Sequence, residues 1–175
     1  MAATAEAVRE TTRDAVHVPH RKLVIMAWSG DLDRIWPTLI LGTTGAAMGM
    51  ETTVFFTFWG LFPLVKDDVR ITGDNWMQKL LSTMDRPGLE HVKLGKMNFA
   101  GAGPAMMRKL ARDHQVASPQ ELIELAKDLG VKLVPCQMTM DLLGLHQDDL
   151  IDGLEDPAGA TTALLEARDA ITLFI

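Results

Sequence analysis

The chain has 175 residues, of which 47% are hydrophobic and 23% are charged, and these values predict a single globular domain with a complete hydrophobic core. Seventeen basic and twenty-three acidic residues give a net charge of −6, and Lys and Arg form no runs beyond pairs, which argues against a nucleic-acid-binding protein. The single cysteine excludes an intrachain disulfide framework and any cysteine-rich metal site, and it favours a reducing, cytoplasmic location.

The first twenty residues are polar and have no sustained apolar periodicity or apolar stretch like that of a signal peptide. We interpret residues 1–20 as a flexible tail and residues 21–175 as a single domain. Residues 21–28 are a continuous apolar run, which is typical of a central parallel strand. A helix capped by Asp31 or Asp33 should then extend to about residue 48, and residues 52–58 predict a second strand in a strand–helix–strand unit.

Residues 35–65 contain only one charged residue, Glu51, which raises the alternative of a membrane span. Three glycines and Glu51 divide the stretch, and each half is shorter than the roughly 20 residues that a spanning helix needs. We therefore interpret it as a buried helix followed by a buried strand. The apolar segment at 59–65 either covers the core or forms a subunit interface, and we favour the interface because one domain can hardly hide so many large side chains in a loop.

The second half of the chain predicts further helices at 75–84, 104–114 and 119–129. The last of these begins with the capping box Ser118-Pro119-Gln120-Glu121. Its predicted apolar stripe is Leu122, Leu125 and Leu129.

A strand at 131–134 follows at once and leads to Cys136, and a helix then continues to Gly144. A helix at 157–170 and a strand at 171–175 complete the pattern. Strands that alternate with helices predict an α/β fold, a three-layer sandwich around a mostly parallel central sheet.

Cys136 is the candidate reactive residue, because it lies where a buried strand becomes a helix. The free amides of the first helical turn favour the thiolate, which is the nucleophilic form of cysteine. The alternative is that Cys136 is a small buried hydrophobic residue without chemistry, since free cysteine is among the most buried residue types. The spacing alone leaves both interpretations open.

Three predicted strands end in glycines, tryptophans or polar residues. In an open parallel sheet these ends meet at the carboxyl edge, where ligands bind. The glycines allow a close backbone approach to a ligand, and the tryptophans exclude water. The candidate binding residues are Ser29, Gly30, Asp31, Trp59, Gly60 and Gln137.

No metal or cofactor is predicted. The five histidines are scattered, and no pair in a predicted helix or strand has a metal-ligand spacing. The chain also lacks the lysine of a P-loop and the full dinucleotide-binding fingerprint.

Three segments of the sequence resemble the DsrE/DsrF-like family, in the branch that is often labelled peroxiredoxin-like. They are LVIM with SGD at 23–26 and 29–31, VFFTFWG at 54–60, and VPCQMTMDLLG at 134–144. The likeness covers roughly residues 21–175, and the Phe-Trp-Gly and Cys-Gln-Met-Thr-Met-Asp parts are the specific ones. It implies a DsrE-like α/β fold, a homo-oligomer or hetero-oligomer, and Cys136 as the active cysteine.

The resemblance also implies a function. Several relatives carry sulfane sulfur as a cysteine persulfide and work with TusA-like and rhodanese-like partners. We therefore expect a cytoplasmic, homo-oligomeric sulfur-transfer protein that acts through Cys136 and has no membrane association. Two alternatives stay open: a non-enzymatic binding or scaffold protein with an inert cysteine, and a thiol-dependent peroxide reductase. The peroxide reductase would need a polar catalytic group and a second thiol, and the chain has one cysteine.

Overall fold

A four-stranded parallel sheet forms the centre of the part of the chain that the computed structural model describes, residues 22–69, 88–89, 92–95 and 101–175. The strands are β1 (Lys22–Ala27), β2 (Glu51–Phe56), β3 (Lys132–Pro135) and β4 (Ala170–Phe174). They lie in the order β3-β2-β1-β4, and each neighbouring pair is parallel. The predicted α/β class with a mostly parallel sheet is confirmed.

Five α-helices and two short 3-10 helices are present among the described residues. The α-helices are α1 (Leu32–Ala47), α2 (Ala102–Asp113), α3 (Pro119–Asp128), α4 (Gln137–Leu143) and α5 (Ala160–Glu166), and the 3-10 helices are Phe58–Leu64 and Gln147–Asp149. The predicted tail at 1–20 and the predicted helix at 75–84 lie outside the described residues.

The sheet is covered on both faces. Helices α1 and α3 contribute to the main core on the first face, where Leu39 and Ile123 belong to the same buried cluster as Phe56. The neighbouring residue Phe55 points to the second face, because successive side chains alternate along a strand. There it packs in a smaller cluster with Ala163 of α5. The layers are therefore helix, sheet and helix.

Small residues let α1 lie close to the sheet. A Cβ atom on Gly45 would lie 2.5 Å from Cδ2 of Leu23 in β1, and a Cβ atom on Gly42 would lie 3.3 Å from Cγ2 of Val54 in β2. These glycines therefore allow the crossover helix to pack on the two strands that it joins, as a strand–helix–strand unit requires.

The apolar stretch at 35–65 divides into most of α1, strand β2 and the 3-10 helix Phe58–Leu64. No helix within the described ranges is long and apolar enough to cross a membrane. The interpretation of this stretch as a buried helix and a buried strand is confirmed by the burial of Leu39 and Phe56.

The favoured subunit interface at 59–65 is wrong for most of that segment. The 3-10 helix turns its side chains inward, and Leu61, Phe62 and Leu64 all belong to the main core. Only Trp59 keeps a large exposed side chain in this segment. A compact helical turn hides far more apolar surface than an extended loop of the same length, so one domain does accommodate these residues.

The last helix, α5, is shorter than predicted. It begins at Ala160 because residues 155–158 are extended beside β3, where the amide of Glu155 donates to the carbonyl of Leu133 and the amide of Ala158 donates to that of Pro135, both at 3.0 Å. The final strand is close to its prediction, since β4 starts one residue before the expected position.

Candidate functional site

Cys136 lies between β3 and α4, at the N-cap of the helix, as the sequence predicts. Its side chain is only 3% exposed. It packs on the second face of the sheet with Phe55 and Ala163, and partly buried side chains that include Met26 and Val134 pack against this cluster. The thiol is therefore covered by the helix α5 and surrounded by apolar groups.

The backbone holds Cys136 firmly. Its amide donates to the carbonyl of Phe56 in β2 at 2.9 Å, and its carbonyl accepts from the amide of Met140 at 3.1 Å. A parallel bridge also joins Cys136 to Ala158. The thiol itself makes no capping hydrogen bond to the first turn of α4, so the expected stabilisation by free helix amides has no direct contact in the structure.

Thr139 connects the cysteine helix to the end of β2, a role that was not predicted from the sequence. The Thr139 Oγ1 atom accepts from the amide of Phe58 at 3.0 Å and lies 3.2 Å from the Oγ1 atom of Thr57. Phe58 has a φ of 48°, in the left-handed region that bulky residues rarely adopt, and its ring is 45% exposed. The buried threonine thus holds a strained aromatic residue next to α4. A threonine one turn after the cysteine is the only signal of this role in the sequence.

Replacing Thr139 by valine is expected to lower the free energy of unfolding by about 2 kcal/mol, because the amide of Phe58 loses its acceptor in a partly buried position. The matched control is Thr57→Val, which removes only the bond between the two hydroxyls and should cost about 0.5 kcal/mol. Urea denaturation of both variants checks this expectation. Equal stabilities of the two variants would show that Thr139 does not hold Phe58.

The predicted residues after β1 form a closed turn. The Ser29 hydroxyl accepts from the amide of Asp31 at 3.3 Å and donates to the Asp31 carboxylate at 3.5 Å. Asp31 occupies the N-cap of α1 as predicted, but its side chain makes no capping bond. Because α1 packs on the first face of the sheet and the Cys136 thiol on the second, these residues share an edge with the cysteine rather than a pocket.

The two predicted glycines bring the loops after β1 and β2 together. A Cβ atom on Gly30 would lie 2.4 Å from the carbonyl oxygen of Trp59, and one on Gly60 would lie 2.2 Å from that of Ala27. The amide of Gly60 also donates to the carbonyl of Trp28 at 3.0 Å. The structure therefore gives both glycines a packing role, and their contact with a ligand stays a prediction.

The remaining predicted residues are exposed. Trp59 meets Phe62 edge to face, with 5.4 Å between the ring centroids. Gln137 starts α4, and its side-chain amide donates to the Asp141 carboxylate at 2.7 Å. Neither side chain belongs to the buried cluster around Cys136.

Charge is distributed unevenly between the two ends of the sheet. At the amino end, Lys132 donates to the Glu51 carboxylate at 2.8 Å and Lys22 lies 3.6 Å from it. The hydrogen bond from Lys132 lowers the pKa of Glu51, and the same bond raises the pKa of Lys132. At the carboxyl end, the segments 54–65 and 133–140 contain no charged residue, and the buried cluster around Cys136 is apolar.

Two cavities formed by described residues do not include Cys136 in their lining. One of about 280 Å³ is lined by Pro135 and Glu155, near the end of β3. Another of about 480 Å³ is lined by Trp36, Arg108 and Glu121, and Cys136 does not line it. Within the part of the chain that the structure describes, no group of three or more His, Cys, Asp or Glu side chains could hold a metal ion.

A family model and two known proteins match most of this chain. The model of the DsrE/DsrF/DrsH-like family matches residues 19–174. The chain is 38% identical over 156 residues to the uncharacterized protein YrkE of Bacillus subtilis strain 168, a match that covers 89% of this chain and 97% of YrkE. It is 36% identical over 158 residues to the sulfur carrier protein DsrE2 of Allochromatium vinosum, with 89% of this chain and 98% of DsrE2 covered.

The crystal structure of the ychN protein from E. coli has the same fold. It superposes with a TM-score of 0.55 and covers 89% of this chain and 99% of its own, at 12% sequence identity. The resemblance seen in the sequence is confirmed by the family match and by the shared fold.

Proposed function

Because this chain belongs to the DsrE/DsrF/DrsH-like family, we propose that it is a sulfur carrier that takes up sulfane sulfur as a persulfide on Cys136. The observation that carries the proposal is the position of the only cysteine, at the junction of β3 and α4, in a chain 36% identical to a protein named as a sulfur carrier. The proposed donors and acceptors are thiol proteins, with TusA-like and rhodanese-like proteins as the first candidates. The chemistry fits the cytoplasm, because thiols stay reduced there.

The proposed transfer is an exchange between sulfur atoms. The Cys136 thiolate attacks the outer sulfur of a donor persulfide R–S–SH, a new S–S bond forms, and the donor leaves as the thiolate R–S⁻. The product is Cys136–S–SH. An acceptor thiolate then attacks the outer sulfur, which gives the acceptor persulfide and regenerates the Cys136 thiolate. Neither step needs a second cysteine or an external oxidant, and this suits a chain with one thiol.

Intact mass after incubation of the folded chain with inorganic polysulfide tests the proposal. One added sulfur, about 32 Da, is expected on the wild-type chain and none on Cys136→Ser, since the substitution removes the only thiol. Unfolding of the variant is followed in parallel to show that the fold is kept. An unmodified wild-type chain, or an equal mass increase in the variant, would contradict the proposal.

The burial of Cys136 favours a second candidate, a non-enzymatic binding protein with an inert cysteine. The two candidates differ in the reactivity of the folded chain. A carrier takes up sulfur under native conditions, whereas an inert thiol reacts with polysulfide and with iodoacetamide only after urea has unfolded the chain. The ratio of native to denatured labelling therefore distinguishes the two.

A further inference from the structure

A cleft lies where α1, α2 and the segment that leads into α3 meet, and Cys136 does not line it. It has two halves, of about 480 Å³ and about 300 Å³. Three residues line both halves and join them into one space: Trp36, Ala111 and Val116. Small organic molecules bind in cavities of roughly 300–1,000 Å³, so the cleft has the size of a ligand site.

The smaller half of the cleft is apolar. Apart from His114, the described residues that line it are all hydrophobic. Ile40 of α1 and Met107 and Leu110 of α2 each keep more than a third of their surface exposed. The contact between the two helices therefore leaves apolar side chains open to water, and an apolar group that covers them is bound favourably.

Two hydrogen bonds fix the walls of the cleft. The Nε1 atom of Trp36 donates to the carbonyl of Ala117 at 2.8 Å, which ties α1 to the segment before α3. The Nη2 atom of Arg108 donates to the carbonyl of Leu89 at 3.1 Å. Because these side chains are already positioned, a ligand that enters the cleft loses little affinity to ordering the protein.

The larger half of the cleft carries positive charge. Arg108 and Arg112 both line it, at positions i and i+4 that share one side of α2. Within the described ranges Arg112 forms no ion pair. Glu121 is the one acidic residue among the described lining residues, and its carboxylate accepts from the amide of Ser118 at 2.7 Å in the capping box. Since like charges at this spacing repel each other, an anion bound beside the two arginines is stabilised.

We propose that this cleft binds a small organic oxyanion, in which a carboxylate or phosphate group is attached to an apolar body. The apolar body lies in the smaller half, on Trp36 and Leu110. The oxyanion meets the guanidinium group of Arg112, whose planar set of N–H donors matches two oxygen atoms of either group. The site is separate from Cys136 and goes beyond the proposed sulfur transfer.

The two halves together select this class of ligand. An inorganic anion bound beside Arg112 would leave the apolar half uncovered. A neutral hydrocarbon in the cleft would remove water from the guanidinium group without giving it a partner, which costs free energy. A molecule with both an apolar and an anionic part satisfies both halves.

Calorimetric titration of the full chain with naphthalene-2-carboxylate tests the proposal, and naphthalene-2-carboxamide is the neutral molecule of matched size. One equivalent of the carboxylate should bind, and the amide should bind about tenfold more weakly because it makes no charge-assisted hydrogen bonds. A parallel titration with 2-naphthyl phosphate shows which of the two oxyanions the site prefers. Absence of binding by both anions, or equal affinity for the carboxylate and the amide, would overturn the proposal.

Two variants of α2 test the contact with the oxyanion. Arg112→Gln should weaken the binding of the carboxylate about tenfold and leave the binding of the amide unchanged. Lys109→Gln removes the same charge from a neighbouring position that does not line the cleft, and it should leave both affinities unchanged. Both positions are exposed, so the fold is kept. Equal weakening in the two variants would mean that only the general charge of α2 attracts the anion, and it would overturn the site.

A second pair of variants tests the apolar half. Leu110→Ala removes apolar contact area from the cleft and should weaken the carboxylate and the amide alike, by about fivefold. Met106→Ala makes a similar change at an exposed position of α2 outside the cleft and should leave both affinities unchanged. Alanine favours the helix at both positions, so α2 is kept. Wild-type affinity in Leu110→Ala would overturn the placement of the apolar body.

Discussion

Replacing Gly60 by alanine is expected to lower the free energy of unfolding by about 3 kcal/mol, at the upper end of the range for overpacking. The added Cβ atom would lie 2.2 Å from the carbonyl oxygen of Ala27 and 2.7 Å from its carbon. Both atoms belong to the backbone of Ala27, the fully buried last residue of β1. A backbone group in a close-packed core has no rotamer change that would relieve the contact. Guanidinium denaturation measures the loss.

Gly159→Ala is the matched control, because it adds the same methyl group in open space. No atom lies within 4 Å of the added Cβ, and the φ of −91° suits any residue. Alanine is a poorer N-cap than glycine but stiffens the unfolded chain, and these small effects oppose each other. The change should stay within about 1 kcal/mol. Equal stability of Gly60→Ala and Gly159→Ala would contradict the prediction. It would mean that the close approach of the loops after β1 and β2 does not depend on a glycine at position 60.

The sequence predicts the local elements of this fold well. Strand β1 and its neighbours appear as continuous apolar runs because both faces of the sheet are covered. Helix α3 begins where the capping box predicts, with the Ser118 hydroxyl accepting from the amide of Glu121 and the Glu121 carboxylate accepting from that of Ser118. That hydrogen bond from the Ser118 backbone also lowers the pKa of Glu121. Such signals depend on residues that are close in the chain.

The side of α3 that faces the core was predicted less well. Of the expected leucine stripe only Leu122 is buried, while Leu125 and Leu129 are exposed. The core side is formed by Leu122, Ile123 and Ala126, which is an equally good helical spacing. A small residue such as Ala126 carries little signal in the sequence, yet it is fully buried in the main core.

The candidate site was also predicted well in its local structure and less well in its packing. The sequence places Cys136 correctly between strand and helix, because the apolar run and the following helix residues are adjacent to it. Its burial depends on Phe55 of the neighbouring strand β2 and on Ala163 of α5, which are distant from Cys136 in the chain and pack with it only in the folded protein. The loops after β1 and β2 do reach the same edge of the sheet, as predicted. Their glycines, Gly30 and Gly60, allow the backbones of these two segments to pack closely on each other.

Replacing Ala163 by glycine is expected to speed the reaction of Cys136 with iodoacetamide and polysulfide about fivefold. Ala163 lies in the middle of α5 and packs in the cluster that covers the thiol. Glycine destabilises a helix interior by about 1 kcal/mol relative to alanine, which raises the population of locally open α5 by roughly that factor. When opening and closing are fast, the labelling rate follows this population. Labelling measured by mass under native conditions gives the ratio.

The control separates local opening from global unfolding. Ala105→Gly makes the same change at an exposed position of α2, which contributes only Gly103 and Pro104 as buried residues. If α5 is the cover of the thiol, this variant leaves the labelling rate unchanged although its helix is weakened equally. An equal increase in both variants would mean that the thiol reacts only through global unfolding, and no increase in either would mean that reagents reach Cys136 without movement of α5. Sulfur transfer to a partner protein through Cys136 is compatible with the first and the third outcome, because in both the thiol is reached in the folded chain, and it is contradicted by reaction through global unfolding alone.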